Sequence, residues 1–162
     1  MRVRKAKLTD YEAFKPLYED VEEKYQWLFF VDNSEDSNSE TGKEYYDDIL
    51  ELANEEYRNF TFDKYESYLN ENKVYIIIDK QKVVGTITLR QMSRGIYRII
   101  EWSMVEGSNK QKAAILNQIK KSFKIRELQA MAFSKKAQKF LINNGFYNTG
   151  NCFFSLQIEE EE

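Results

Sequence analysis

The pattern of apolar and polar positions along the 162-residue chain predicts short strands alternating with amphipathic helices. Two runs of β-branched residues, 74–78 and 83–89, predict a hairpin joined by the polar turn 79–82. Gly85 inside the second run predicts a bulge or a close approach of another backbone. A further strand is predicted over 96–105, so the middle of the chain should form a three-strand meander.

Helices are predicted before and after this meander along the chain, and further strands are predicted at both ends of the chain. Thr9 and Glu12 have the spacing of a capping box, as do Thr41 and Glu44, and Thr61 is placed to cap a shorter helix. The other predicted elements are a polar loop over 32–41, strands over 2–7, 128–132 and 153–158, and helices over 110–124 and from Ser134 to the stop signal at Gly145.

Composition restricts what kind of protein this chain can be. Apolar residues make up 42% and charged residues 31%, which excludes general disorder, and the length suits one compact domain. There is no histidine and a single cysteine, Cys152, so we expect no metal site, no histidine-based triad and no internal disulfide. A general base must therefore be a carboxylate, a water chain or a tyrosine.

Charge and hydropathy exclude other partners. No run approaches the roughly 18–20 apolar residues that cross a bilayer, and residues 1–5 lack the apolar core of a signal peptide. We therefore expect a cytoplasmic protein without a membrane partner. The net charge of -3 argues against nucleic acid as a partner. Acids dominate from 10 to 71 and lysines from 110 to 139, which favours a cationic ligand on one side and an anionic one on the other.

The stretch 99–123 carries the candidate chemistry. An apolar strand runs into a polar turn and then a helix, an arrangement that leaves unpaired N–H groups and the positive end of a helix dipole at one place. Lys110 and Lys112 in the first turn oppose this dipole, unless an anion binds there. The alternative interpretation is that both lysines are ordinary solvated surface residues.

Glu101 is the candidate general base. It lies within this apolar strand, on the same face as Ser103, and a desolvated carboxylate there could take a proton from an ammonium group. The alternative is a structural ion pair with Arg90 or Arg98.

The order of elements and four local patterns resemble the Gcn5-related N-acetyltransferase (GNAT) family. The patterns are the opening stretch 3–12, the hairpin 74–89, the stretch 99–119, and Ser134-x-x-Ala137-x-x-Phe140-Leu141-x-x-x-Gly145-Phe146, which is similar to the last motif of the family. Together they cover nearly the whole chain.

This resemblance implies an α+β fold in three layers: a mixed, mostly antiparallel sheet of six to seven strands flanked by helices, with a cleft where strands four and five splay apart. The chain would be a single domain, 1–162, with its polar loop and an extra helix at about 32–60. The resemblance also implies acetyl-CoA as co-substrate. The implied cofactor-binding residues are Met104, Val105, Lys110, Gln111, Lys112, Ala113, Ala114, Ile115, Ser134, Ala137 and Phe140.

The implied function is transfer of an acetyl group to a primary amine by direct attack, with Glu101 as base. The loop of the family usually contains glycine, whereas Ala113 and Ile115 stand here, and Leu141 replaces the tyrosine that commonly protonates the leaving thiolate. Tyr147 is the candidate acid in its place, with Tyr97 as a second candidate.

Three interpretations remain open at this point. The first is the N-acetyltransferase, the second is a catalytically silent binding module with weak or no CoA binding, and the third is an acyltransferase acting on protein or tRNA. The departures from the family favour the second. The acceptor would be a small-molecule or peptide amine. Phe153 and Phe154, interpreted as exposed aromatic residues, permit a homodimer.

Overall fold

The computed structural model describes residues 1–19, 61–104, 108–132 and 135–158. The polar loop and extra helix predicted at about 32–60, with the Thr41 capping box, lie outside these residues. The described strands are β1 (Arg2–Lys5), β2 (Lys73–Asp79), β3 (Lys82–Ser93), β4 (Ile96–Met104), β5 (Glu127–Met131), β6 (Tyr147–Gly150) and β7 (Phe153–Gln157). The described α-helices are α1 (Tyr11–Glu19), α2 (Phe62–Glu71), α3 (Asn109–Ser122) and α4 (Lys135–Asn143).

The described strands form one seven-stranded sheet in the order β1-β2-β3-β4-β5-β7-β6. The pair β4–β5 is parallel, and the other neighbouring strands are antiparallel. The chain crosses between the two parallel strands through α3, as a parallel connection requires. The predicted α+β class and mixed sheet are confirmed.

The two faces of the sheet are covered by different helices. Trp102 lies opposite Ile87, which lies opposite Tyr75, so these side chains share one face. On that face Ser122 at the end of α3 donates to the Tyr75 hydroxyl (3.4 Å), and Phe140 of α4 makes an edge contact with Trp102 at a centroid distance of 6.1 Å. The predicted three layers are therefore present.

Helices α1 and α2 pack against each other through aromatic rings and cover the opposite face. The ring of Tyr65 lies 5.2 Å from that of Phe14 and 5.7 Å from that of Tyr11, between centroids. The Tyr65 hydroxyl also donates to the carbonyl of Lys7 at 2.5 Å, which ties α2 to the end of β1. Since Tyr65 and Phe14 are fully buried, these contacts fix α2 over the sheet.

The central hairpin forms as predicted. Its turn places Lys80 and Gln81 at φ +50° and +68°, the left-handed conformation of both central residues in a type I′ turn. The bulge predicted at Gly85 is also present, because Ile77 pairs with Gly85 while Ile78 pairs with Val83, leaving one extra residue in β3.

The first helical segment begins differently from the prediction. Thr9 lies inside a 3₁₀ turn, Leu8–Asp10, instead of capping a helix with Glu12. The side chain of Asp10 stabilises the start of this turn instead. Its carboxylate accepts from the Lys7 N–H (2.7 Å) and forms a two-point ion pair with Arg4 (2.8 and 2.9 Å). Both contacts lower the pKa of Asp10, the guanidinium more than the N–H.

Two aromatic residues expected at the surface lie elsewhere. Phe154 is buried in the core at 2% exposure, and Phe153 is half-buried, with the Arg98 guanidinium 5.7 Å from its ring centroid. The expectation that both are exposed is wrong, because β7 is an inner strand between β5 and β6. The homodimer stays a prediction, but exposed aromatic residues on β7 no longer support it.

Gly145 ends α4 in the predicted way, at φ +92°. An ideal Cβ at this position would lie 3.1 Å from Cδ1 of Leu156. We expect Gly145→Ala to lower the free energy of unfolding by about 1–2 kcal/mol, the cost of the left-handed conformation, measured by urea denaturation. Gly145→Asn should cost less, because asparagine adopts this conformation more readily. Equal losses would instead assign the cost to the contact with Leu156.

Candidate functional site

The parallel strands β4 and β5 separate partway along their length. They are paired only from Ile96 to Arg98 on β4 and from Glu127 to Gln129 on β5. Beyond Arg98, β4 continues to Met104, while the last two residues of β5 remain paired with β7 alone. The predicted splay between the fourth and fifth strands is therefore confirmed. Strand backbone that lacks a neighbouring strand offers N–H and C=O groups to an extended ligand.

Glu101 lies on the separated part of β4. It is 1% exposed, and its Oε2 accepts a hydrogen bond from the hydroxyl of Tyr68 on α2. The two arginines proposed as ion-pair partners donate elsewhere, Arg90 to the side chain of Asn72 (3.4 Å) and Arg98 to Gln129 (2.9 and 3.2 Å). Glu101 thus accepts a hydrogen bond from a tyrosine of α2.

Two threonines lie on the same face of the sheet as Glu101. Thr88 is directly opposite Glu101 in the β3–β4 register, and Thr86 is opposite Ser103. Both threonines are fully buried, and among the described residues neither hydroxyl has a hydrogen-bond partner. Glu101 therefore lies in a buried group of polar side chains beneath α2.

The N-terminus of α3 is built as the turn-helix pattern predicted. Ser108 is the N-cap: its Oγ accepts from the Gln111 N–H (3.2 Å), and Gln111 Oε1 accepts from the Ser108 N–H (2.9 Å). The N–H groups of Asn109 and Lys110 in the first turn have no partner within the helix ladder. Positive helix ends with such donors bind anions.

Lys112 is not the solvated surface residue that the alternative interpretation expected. Lys110 is exposed, but Lys112 is only 7% exposed and lies on the buried stripe of α3 with Ile115 and Ile119. Burial, and secondarily the ammonium of Lys136 in the first turn of α4, lower the pKa of Lys112 to about 8. The ammonium groups of Lys112 and Lys136 thus lie close enough to repel each other, and an anion bound beside them would reduce that repulsion.

The other predicted cofactor-binding residues are distributed between surface and core. Ala114 is exposed and Ala113 half-buried, whereas Ile115 is buried in the core. Ala137 and Phe140 of α4 are also buried, Phe140 against Trp102. Met104 ends β4 opposite Gly85. Val105 and Ser134 lie outside the described residues.

Tyr147 is not brought together with Glu101. It is exposed at the start of β6, where its hydroxyl accepts from Gln157 (3.2 Å), and β6 is three strands away from β4, about 14 Å at ~4.8 Å per strand. Tyr97 is buried with its ring edge-on to Phe123, at a centroid distance of 4.8 Å. The role of Tyr147 as acid stays a prediction.

The residue that sequence reasoning missed is Tyr68. Its position three residues after Tyr65 marks a helix face, but a tyrosine on such a face is equally typical of a core.

Two findings limit other site chemistries. None of the described residues form a cluster of three or more histidine, cysteine, aspartate or glutamate side chains able to hold a metal ion. No helix in the described ranges is long and apolar enough to span a membrane.

Comparison with solved structures identifies the fold. The chain resembles the PaiA N-acetyltransferase from Thermoplasma acidophilum, solved in complex with coenzyme A, at TM-score 0.65 and 16% identity, covering 97% of this chain and 98% of that one. It also resembles aminoglycoside 6'-acetyltransferase type Ii (TM-score 0.59, 14% identity, 100% of both chains). A third neighbour is the ribosomal-protein-alanine N-acetyltransferase from Brucella melitensis (TM-score 0.56, 14% identity, 98% and 100%).

The chain therefore has the fold of the GNAT acetyltransferases, as the resemblance in sequence implied. At these identities the likeness establishes the fold alone. No protein-family model matches the chain, and no curated protein matches its sequence.

Proposed function

We propose that this protein is an acetyl-CoA-dependent N-acetyltransferase that acts on a primary amine. The separation of β4 from β5, with Glu101 on the separated segment, carries the proposal, because it joins an opening for an extended ligand to a buried carboxylate. The structural neighbours, one of them solved with coenzyme A, support the same reaction class.

The residues present fit acetyl-CoA in two places. Its pantetheine arm is an extended chain of amides, which suits the backbone of β4 beyond Arg98. Its phosphate groups suit the N-termini of α3 and α4, where Lys112 and Lys136 supply positive charge. Coenzyme A would supply the activated acetyl group as a thioester.

In the proposed reaction Glu101 takes a proton from the acceptor ammonium, directly or through a water molecule. The neutral amine attacks the thioester carbonyl carbon and a C–N bond forms; the nitrogen then releases its second proton to solvent as the C–S bond breaks. Leu141, at the position of the common family acid, is buried and has no proton to give, so we assign protonation of the thiolate to solvent. Positioning of the two substrates then accounts for most of the rate.

Calorimetric titration with acetyl-CoA and with desulfo-CoA tests the proposal, together with thiol release in the presence of a panel of primary amines. We expect both ligands to bind and at least one amine to accelerate thiol release. Lys110→Gln should weaken binding about threefold to tenfold through the lost phosphate contact. Lys121→Gln, a change of the same charge at the other end of α3, is the matched control and should bind as the parent does.

A catalytically silent binding module is the second candidate function, favoured by the buried Leu141 and by alanine and isoleucine at the usual glycine positions. The same titration separates the two candidates. Absence of heat and of a thermal shift at millimolar acetyl-CoA would overturn the enzymatic proposal and support the module.

A further inference from the structure

Arg90 and Arg98 are two cations that the proposed reaction does not use. The β3–β4 register places them directly opposite each other, and directly opposite residues have Cβ atoms about 4.5–5.5 Å apart. Like charges in this position destabilise a sheet. Among the described residues neither guanidinium forms a salt bridge, since the ion pair found there joins Arg4 to Asp10. An anion bound between the two arginines would remove their repulsion.

Both guanidiniums are held in place by neutral amides. Gln129 Oε1 accepts from Nε and Nη2 of Arg98 (3.2 and 2.9 Å), and Asn72 Oδ1 accepts from Nε of Arg90 (3.4 Å). The Arg98 guanidinium also lies 5.7 Å from the ring centroid of Phe153. The outer edge of each guanidinium, formed by one N–H on each terminal nitrogen, contacts no acceptor among the described residues. Both arginines are therefore oriented and still able to donate.

The number of these donors and the nearest helix end select a carboxylate as the ligand. The outer edges of two guanidiniums offer four N–H groups, and the two oxygens of a carboxylate have about four lone-pair sites. The adjoining helix end is the C-terminus of α2, where Asn72 is the C-cap. The partial negative charge of a helix C-terminus opposes a doubly charged phosphate more than a singly charged carboxylate.

The two arginines lie at the surface, next to the separation of β4 from β5. Arg98 is the last residue of β4 that pairs with β5. Arg90 follows Thr88 by two residues on β3, and Thr88 is opposite Glu101, so the pair shares the sheet face of Glu101. Since Arg90 is exposed and Arg98 half-buried, a small molecule can reach both from solvent. A carboxylate bound there would lie beside the opening proposed for acetyl-CoA.

We propose that Arg90 and Arg98 form a subsite that binds a carboxylate group of the acceptor. This inference rests on the proposed function, since it names a second chemical group of the amine substrate. Arg98 precedes Glu101 by three residues on β4, which corresponds to about 10 Å at ~3.3 Å per residue. The acceptor class is therefore an amine whose carboxylate lies several bonds from its nitrogen, as in 5-aminopentanoate.

Carboxylate binding can be measured apart from catalysis. The seven arginines of the chain give separate Nε–H signals by NMR of the ¹⁵N-labelled full-length protein. At constant ionic strength, sodium butyrate should shift the signals of Arg90 and Arg98 and leave that of the exposed Arg94 unchanged. The uncharged analogue n-butanol should shift none of them. Equal shifts at Arg94, no shift at Arg90 and Arg98, or tighter binding of inorganic phosphate than of butyrate would overturn the subsite.

Substrate preference provides the second test. We expect kcat/KM for 5-aminopentanoate to exceed that for n-pentylamine, which lacks the carboxylate, about a hundredfold, or tenfold for the hydrogen bonds of each arginine. Arg90→Gln and Arg98→Gln should each lower this ratio about tenfold. Arg94→Gln, in the turn between β3 and β4, is the matched control and should leave the ratio unchanged. Because Arg90 is exposed, Arg90→Gln keeps the test available if Arg98→Gln loses stability.

The two tests separate failure of the subsite from failure of the proposed function. If acetyl-CoA binds and both amines accelerate thiol release equally in the parent protein, the subsite is wrong and the proposed function stands. If acetyl-CoA does not bind and neither amine reacts, while butyrate still shifts the signals of Arg90 and Arg98, the proposed function is wrong and the arginine pair remains a carboxylate-binding site.

Discussion

Replacing Glu101 with glutamine is expected to lower kcat of amine acetylation by about 10²–10³, the range typical of a lost general base. Glutamine has nearly the same shape and its amide oxygen can still accept from the Tyr68 hydroxyl, so the packing beneath α2 should be retained. It cannot, however, take a proton from an ammonium group. Initial rates across pH, with acetyl-CoA saturating, measure the effect.

Glu127→Gln is the matched control for this experiment. Glu127 is a carboxylate on β5 that accepts from Gln129, Ser155 and Gln157, and these hydrogen bonds lower its pKa. Removing its charge should alter stability but leave kcat within about twofold, because it lies outside the proposed site. Turnover by Glu101→Gln equal to that of the parent at every pH would remove Glu101 as base.

The sequence predicted the elements whose apolar pattern is strong. The β2–β3 hairpin, its bulge at Gly85 and the Gly145 helix end follow from β-branched runs and from the conformational freedom of glycine. Strand β6 was not predicted, because all four of its residues are exposed and show no alternation. The exposed last four residues of β3, beyond Leu89, were missed for the same reason.

Residue patterns alone predicted only the part of the candidate site that is continuous in sequence, and the resemblance to the family added Ser134, Ala137 and Phe140. The turn, the α3 N-terminus and Glu101 all lie within one continuous stretch. Tyr68 is 33 residues from Glu101 along the chain, and which face of α2 meets the sheet depends on tertiary packing. On α2, Tyr65 and Tyr68 are buried, Leu69 is half-buried and Phe62 is exposed.

The burial of Lys112 could not be predicted from sequence because hydropathy places lysine at the surface. It occupies a core-facing position one turn before Leu116, and the like charge of Lys136 comes from α4, more than twenty residues later. The sequence around α3 therefore indicates neither the burial of Lys112 nor its proximity to Lys136. The same two facts lead to the second large prediction.

We expect Lys112→Met to stabilise the free protein at pH 7 and to weaken its binding of CoA. The pKa of Lys112 is about 8 in the folded chain and near 10.5 when unfolded, so the unfolded state binds the proton more tightly. Charging this group at pH 7 therefore opposes folding, by about 3–4 kcal/mol at ~1.4 kcal/mol per tenfold change in proton affinity. Methionine keeps the length of the side chain without the charge.

The pH dependence has a definite sign. Below pH 8 Lys112 is protonated in both states and its penalty is fully present, whereas between pH 8 and 10.5 the folded state loses the proton first. The free energy of unfolding of the parent protein should therefore rise over that window relative to Lys112→Met. Chemical denaturation at pH 7 and pH 10 measures it, with Lys121→Met as the control for lost charge on the same helix.

CoA binding, in contrast to folding, should favour the protein with a charged Lys112. An anion next to the Lys112 ammonium raises its pKa, so the ligand binds the protonated form and takes up a proton near pH 8. Calorimetry in buffers of different ionisation enthalpy should detect that uptake in the parent and not in Lys112→Met, whose affinity should be about tenfold lower at pH 7. A Lys112→Met protein that is no more stable and binds CoA unchanged would place the phosphates elsewhere and the buried ammonium outside the site.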